Sequence, residues 1–235
     1  MILKANGVTL TWFHDFATQE KLPEKVAVSI SGGCDSSLML YCLCKTLIAH
    51  GLHKKISLYP LNINMLDIKI AENSKLPTQR CYEIISEIFP EINFLVGLTL
   101  IDAWYFSCGK GPFAKRNTIR KHRAPFLKKY NIDILLTGGT QNPPLGISER
   151  LDKHMNEDVS IHERDTTYYK NASNLPFSSI NKKFVAEIYK QENLMYDLFP
   201  NTVSCTYVDQ HGPCKRCYWC EEKKWAFGMY DGCIT

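Results

Sequence analysis

Two groups of residues in this chain have the types and spacing to do chemistry. The first is SGGCDS, residues 31–36, which follows the apolar run VAVSI and opens the apolar run SLMLYCL. Gly32 and Gly33 let the backbone turn tightly and approach a ligand with no Cβ in the way. A helix starting near Ser36 aims unsatisfied N–H groups and the positive end of its dipole at the same spot. Ser31, Ser36 and Ser37 add hydroxyl donors. Asp35 repels a phosphate by itself, so its presence points to a magnesium ion or to an N-cap role. The chemistry implied is binding of a nucleotide polyphosphate. The pattern GxxxxGK[ST] is absent, which excludes a Walker-type phosphate loop. The bland alternative is a plain strand-to-helix turn with a polar cap.

The second group is four cysteines within sixteen residues: Cys205, Cys214, Cys217 and Cys220. Four thiolates, three of them at CxxCxxC spacing, are the complement of a closed tetrahedral Zn2+ site. Gly212 and Pro213 make the turn before the triplet, and Lys215 and Arg216 offset thiolate charge. An iron–sulfur cluster, a disulfide pair, or His211 in place of one cysteine are the other readings. A closed site is structural, so its expected job is to pin the C-terminal segment against the nucleotide-binding part.

Elements must hold these groups in place. Residues 26–30 read as a strand and 36–50 as a helix. ISLYPLNI (56–63) reads as a second strand, with Pro60 suited to an edge or a bulge. Residues 78–89 are helical, NFLVGLTL (93–100) is a third strand, 113–130 is a helix interrupted at Pro125, and IDILLTGG (132–139) is a fourth strand. Strands alternating with helices predict an α/β fold with a parallel sheet covered on both faces. Ligands then sit beyond the C-terminal strand ends, where SGGCDS and TGGT (137–140) both fall. Residues 141–175 are polar and irregular and read as a substrate loop or lid. The expected organisation is a Rossmann-like nucleotide-binding domain over 1–200 and a zinc-binding segment over 201–235.

Bulk properties narrow the class. The chain has 235 residues, 45% hydrophobic and 22% charged, and a net charge of +4. That excess suits handling of anions but is too small to argue for nucleic-acid binding. No apolar run reaches the roughly 18 residues of a membrane span, and the N-terminus does not read as a signal peptide. Of ten cysteines, Cys34, Cys42, Cys44, Cys81, Cys108 and Cys233 are scattered, several in apolar runs where a free thiol acts as a small hydrophobe. Clustering of the other four without an export signal points to a metal in a reducing cytosol.

The string SGGxDS after an apolar strand resembles the PP-loop ATP pyrophosphatase superfamily, whose members split ATP into AMP and pyrophosphate and activate a substrate oxygen as an adenylate. The resemblance implies ATP and Mg2+ as cofactors. It implies that Ser31, Gly32, Gly33, Asp35 and Ser36, with Cys34 on the same turn, cradle the pyrophosphate. Together with the cysteine spacing, the chain resembles the 7-cyano-7-deazaguanine synthase family of queuosine biosynthesis. FAKRNTI (113–119) looks like that family's arginine–asparagine motif, placing Arg116 on the phosphates and Asn117 in the loop. TGGT, with Gly138, stands where a glycine-bearing strand end carries contacts. PFSSINK (176–182) looks like the segment that brings Lys182 to the phosphates. Ser31, Asp35, Ser36, Arg116 and Lys182 are thus the expected catalytic set.

The resemblance implies a cytoplasmic ATP-dependent carbon–nitrogen ligase. Its substrates would be a small deazapurine and ammonia, in a homodimer, with no nucleic acid or membrane required. Two stretches depart from the family pattern: LNINMLD after the second strand and GGTQNPPLGISERLD after the fourth. A different deazapurine, a tRNA base or a protein end therefore stays open as the acceptor. Thiolation of tRNA would draw on Cys34 and Cys108. A zinc-stabilised module that binds nucleic acid through the basic run Lys115, Arg116, Arg120, Lys121, Arg123, Lys128 and Lys129 and through Tyr218 and Trp219 also stays open. Against it, the run reads as a solvated helix face and the aromatics as packing around the metal knob. Asp102 and Asp133 are candidate magnesium contacts.

Overall fold

The computed structural model describes residues 2–11, 22–65, 71–103, 112–149, 151–152, 173–205, 208 and 212–231. Chain order gives a hairpin, β1 (Ile2–Ala5) and β2 (Val8–Thr11), then β3 (Lys25–Ser29), α1 (Cys34–Ala49), β4 (Ser57–Met65), α2 (Ala71–Ile88), β5 (Thr99–Ala103), α3 (Pro112–Tyr130) and β6 (Ile134–Thr137). A short β7 (Ser173–Asn174), α4 (Lys182–Gln191), a 3-10 turn (Phe199–Asn201) and α5 (Tyr218–Phe227) complete it.

Five strands form one sheet in the order β5-β4-β3-β6-β7, and every pairing is parallel. The chain leaves β3 in one direction towards β4 and later returns to β3's other side as β6. The crevice between the carboxyl ends of β3 and β6 is therefore the switch point at which open parallel sheets bind ligands.

Alternate residues of the central strands feed two cores, as strand geometry demands. Val26, Val28, Leu58 and Leu136 join the larger core with α1, α2, α4 and Phe227 of α5. Ala27, Tyr59, Leu61 and Leu135 face the other side and meet Phe126 of α3. Twelve of the sixteen residues of α1 are buried, so this helix is apolar on nearly all sides because it is enclosed on nearly all sides.

The α/β reading holds, α3 runs through Pro125 without the expected interruption, and three further local expectations change. NFLVGLTL is irregular up to Leu98, apart from a bridge between Phe94 and Leu58, and β5 begins only at Thr99. Second, Pro60 lies in an interior strand rather than at an edge. Leu58 donates to Asn93 O at 2.9 Å, so two residues on the nitrogen of Pro60 faces the same side. There β5 pairs only from Leu61 onward, and no donor is missed. Third, Arg123 is only 5% exposed and is not part of a solvated basic face.

The N-terminal hairpin carries its own sequence signal. Asn6 and Gly7 both have positive φ, 51° and 74°, as a two-residue primed turn requires, and Asn-Gly between alternating residues marks such a turn. Gln191 at the end of α4 ties the hairpin down by donating to Lys4 O at 3.1 Å.

Candidate functional site

The turn after β3 is built as a cradle. Gly32 has φ +75°, and a Cβ there would stand 2.8 Å from Thr78 N and 3.0 Å from Pro77 Cβ. Helix α2 thus packs directly on the loop, and only glycine satisfies both dihedral and space. Gly33 is the extended N-cap of α1. Among the described residues no side chain caps the helix start, which leaves its first N–H groups facing the cradle as donors suited to a ligand. Ser36 Oγ accepts from Ser31 N at 3.0 Å and donates to Gly33 O at 3.1 Å. Ser31 Oγ lies 3.0 Å from Ser36 Oγ and accepts from Gly33 N at 3.3 Å. The two serines hold the loop open from within.

From the other side comes the strand end of β6. A Cβ on Gly138 would lie 2.7 Å from Ser36 Cα and 2.8 Å from Ser36 N. Gly138 therefore lets TGGT run flush against the first turn of α1. Beyond it, Gln141 N donates to Ile180 O at 2.7 Å, which carries the chain to the start of α4. Asn181 caps that helix, its Oδ1 accepting from Lys183 N at 3.0 Å and Phe184 N at 3.3 Å. The cap fixes Lys182 as the first helical residue.

Lys182 is 3% exposed. Its Nζ lies 3.2 Å from Asp35 Oδ2 and 2.6 Å from Glu222 Oε2, with the Trp219 ring centroid 5.9 Å away. Burial acts to deprotonate the amine, but Asp35 and Glu222 outweigh it and hold its pKa well above the usual lysine range, so it is a cation. Ser31, Gly32, Gly33, Asp35, Ser36, Gly138 and Lys182 thus meet in one place. The backbone of Arg116 and Asn117 lies in α3, and their side chains lie outside the described residues. The side chain of Cys34 points into the core, 1% exposed, and burial, with Asp35 beside it, pushes its thiol up to about 12. What Cys34 offers the site is its backbone, at the first position of α1.

Asp133 has a different job from magnesium binding. Its Oδ2 accepts from Glu24 N and Lys25 N, both at 2.9 Å, at the amino ends of β3 and β6 and so at the opposite edge of the sheet. Asp102 lies on β5, two strands from β3. Hydrogen bonds from Asn64 and Lys75 hold its carboxyl below the usual range.

The four cysteine sulfurs all lie within 4.8 Å of one another, and Cys214 Sγ is 4.0 Å from Cys220 Sγ. Ligands about 2.3 Å from a tetrahedral ion stand a little under 4 Å apart, so Cys205, Cys214, Cys217 and Cys220 fit one metal ion. Gly212, φ +96°, and Lys215, φ 54°, make the turns between them. Burial raises the Cys214 thiol, yet hydrogen bonds from the Arg216 and Cys217 amides and from Cys205 bring it down to about 7. His211 lies outside the described residues.

Sequence reasoning missed the residues that join the two sites. Asp231 Oδ2 accepts from Ser204 N at 2.8 Å and Cys205 N at 2.7 Å, while its other oxygen pairs with Lys223. Lys223, fully buried, also donates to Thr202 O and Oγ1 at 3.1 and 2.9 Å. Next along, Val203 N donates to Gly32 O at 2.8 Å. The cysteine-bearing segment therefore touches the glycine turn after β3 through its backbone and reaches Lys182 through Glu222. In the sequence, EEKK (221–224) looks like an ordinary solvated charge run, and nothing in its spacing marks Glu222 and Lys223 as buried. Tyr218 is also buried, packed against Leu151 and Trp219, and so is not a free stacking surface.

No family model matches the chain, and no curated protein matches it. Among solved structures the chain is similar to the U34-tRNA thiolase NcsA from Methanococcus maripaludis, solved with its 4Fe-4S cluster. Identity is 17% and TM-score 0.45, over 73% of this chain and 58% of that one. It is also similar to FMN adenylyltransferase from Candida glabrata, solved with FMN and the ATP analogue AMPCPP. There identity is 16% and TM-score 0.38, over 73% of this chain and 50% of that one. Likeness at this level says nothing about what the present chain acts on.

Proposed function

We propose that this chain is an ATP-dependent enzyme that transfers AMP to an acceptor oxygen and releases pyrophosphate, with Mg2+ as the nucleotide's counter-ion. The observation that supports it best is the convergence at the β3/β6 switch point: an uncapped helix start, two glycines whose missing Cβ atoms make the cradle, a serine pair and the Lys182 cation. Each part suits a diphosphate. The α1 amides donate to its oxygens, the serine pair shapes the turn that presents them, Lys182 offsets its charge, and Asp35 is the carboxylate available to the metal ion. Pyrophosphate leaves only where developing charge is neutralised by groups already in place. Magnesium would supply further neutralisation there.

As acceptor we propose a 7-deazaguanine carboxylate, which ammonia converts to the amide after adenylation and a second adenylation converts to the nitrile. The string SGGxDS and the Cys-x8-Cys-x2-Cys-x2-Cys spacing support that reading, and a single Zn2+ at the cysteines suits it. The protein would act in the cytoplasm. Thiolation through Cys34 is disfavoured, because that thiol is buried and its pKa is pushed up; Cys108 lies outside the described residues. The test incubates the protein with ATP, Mg2+, ammonium and 7-carboxy-7-deazaguanine. AMP, pyrophosphate and a nitrile product are expected. AMP release with other acceptors only would keep the adenylating chemistry and replace the substrate, and no ATP binding at all would refute both.

A further inference from the structure

The group formed by buried Lys182 and Glu222 with partly exposed Asp35 carries two carboxylates for one ammonium, a formal sum of −1 in the pocket proposed for an anion. Asp35 is accounted for by the expected metal ion. Glu222 is not: it belongs to α5, two residues beyond Cys220, is 3% exposed, and makes the shorter of the two contacts to Lys182, 2.6 against 3.2 Å. Nothing in polyphosphate binding calls for a second carboxylate there. A cation held this way cannot turn fully to a phosphate without leaving a buried carboxylate behind, and that is costly.

We propose that Glu222 is a positioning residue that restrains Lys182 and competes with the polyphosphate for it. The metal-bearing helix then sets how tightly pyrophosphate is retained. This rests on the nucleotide reading above. The logic is that of differential binding: a lysine released only as charge develops on the leaving group stabilises that state more than the resting one. The competing carboxylate also keeps product pyrophosphate from being trapped on a helix start, a serine pair and an unopposed cation.

The experiment measures binding of Mg2+–pyrophosphate by calorimetry to the metal-loaded protein, which requires no knowledge of the acceptor. Glu222→Gln keeps the shape and removes the charge. Removing one unit charge at this range is expected to tighten pyrophosphate about tenfold, with metal content unchanged at one ion per chain. Glu222→Asp keeps the charge and is expected to stay at the wild-type affinity. Combining Glu222→Gln with Lys182→Met is expected to abolish the gain, because the effect runs through the ammonium; a packing role alone would not give that pattern. Glu222→Gln that binds pyrophosphate as wild type does, or more weakly, while retaining its metal overturns the role of Glu222 and leaves the nucleotide reading standing. A wild type that binds neither Mg2+–pyrophosphate nor Mg2+–ATP overturns the nucleotide reading itself.

Discussion

One hydrogen atom decides whether TGGT can approach α1. A methyl on Gly138 would overlap the backbone of Ser36 and Asp35, with contacts of 2.7–2.9 Å, and helix backbone cannot rotate away as a side chain can. Gly138→Ala is therefore expected to push β6 and the helix start apart. The stability cost is about 1–3 kcal/mol, as for overpacking elsewhere, and Mg2+–ATP binding measured by calorimetry should be lost. Retained affinity would mean that the cradle is not where the phosphates sit. Lys182→Met makes a second residue-scale prediction. It leaves Glu222 buried without its cation, so urea unfolding should show a loss of about 3 kcal/mol. Adding Glu222→Gln should return a good part of it, since an amide tolerates a buried site better than a carboxylate that has lost its ammonium.

Helix α1 makes its own prediction, because it encloses Cys34, Cys42 and Cys44 and packs near Cys81 of α2, all buried. Burial is the first cause in every case. It pushes Cys34 up to about 12 and Cys81 to about 11, and raises Cys42 and Cys44 as well, from an ordinary value of 9.0. Above pH 9 the unfolded chain sheds these protons while the folded chain keeps them. The thiols' contribution to stability is thus fully present below pH 9 and lost as pH rises through the folded values. Each thiol removes up to about 1.4 kcal/mol per pH unit in that window. Urea midpoints in reductant at pH 8.5, 9.5 and 10.5 should fall, and Cys42→Ala with Cys44→Ala should flatten the fall. A flat wild-type profile would show the thiols to be solvated.

Elements were legible in the sequence where local pattern and tertiary role agree. The strand–SGGCDS–helix unit could be read because an apolar run, a glycine turn and a second apolar run leave few other folds. The four cysteines could be read because spacing alone brings them together. What could not be read depends on partners far along the chain. The start of β5 waits on where β4 offers free hydrogen-bonding groups, Arg123 is buried by contacts made in three dimensions, and Glu222 and Lys223 look like solvent residues until Lys182 and Asp231 come to meet them. Asp231 itself is a single acid eleven residues past the last metal-binding cysteine, with no motif around it.

At the scale of the whole molecule, the carboxyl-terminal segment fastens the glycine turn after β3 to the cysteine centre. Asp231 fixes the Ser204 and Cys205 amides, Lys223 fixes Thr202, and Val203 between them donates to Gly32. A metal ion that holds Cys205 to Cys214, Cys217 and Cys220 therefore also holds Val203 on the loop. Structural metal sites supply folding free energy to the segment that carries them. Withdrawing the ion should release residues 202–205 and 212–220 while the sheet and its two cores persist. Hydrogen exchange is expected to show the Val203 amide protected in the metal-loaded protein and exchanging at least about tenfold faster after chelation, with protection in β3 and β4 unchanged. Mg2+–pyrophosphate affinity should fall in the same samples, because the Gly32 carbonyl loses its fixed partner and the turn its set geometry. Asp231→Asn should mimic chelation in part, lowering metal content and Val203 protection while leaving the central strands protected. If chelation strips the ion and Val203 stays protected, the loop is held by the α/β core alone, and the cysteine centre has no hold on the proposed nucleotide site.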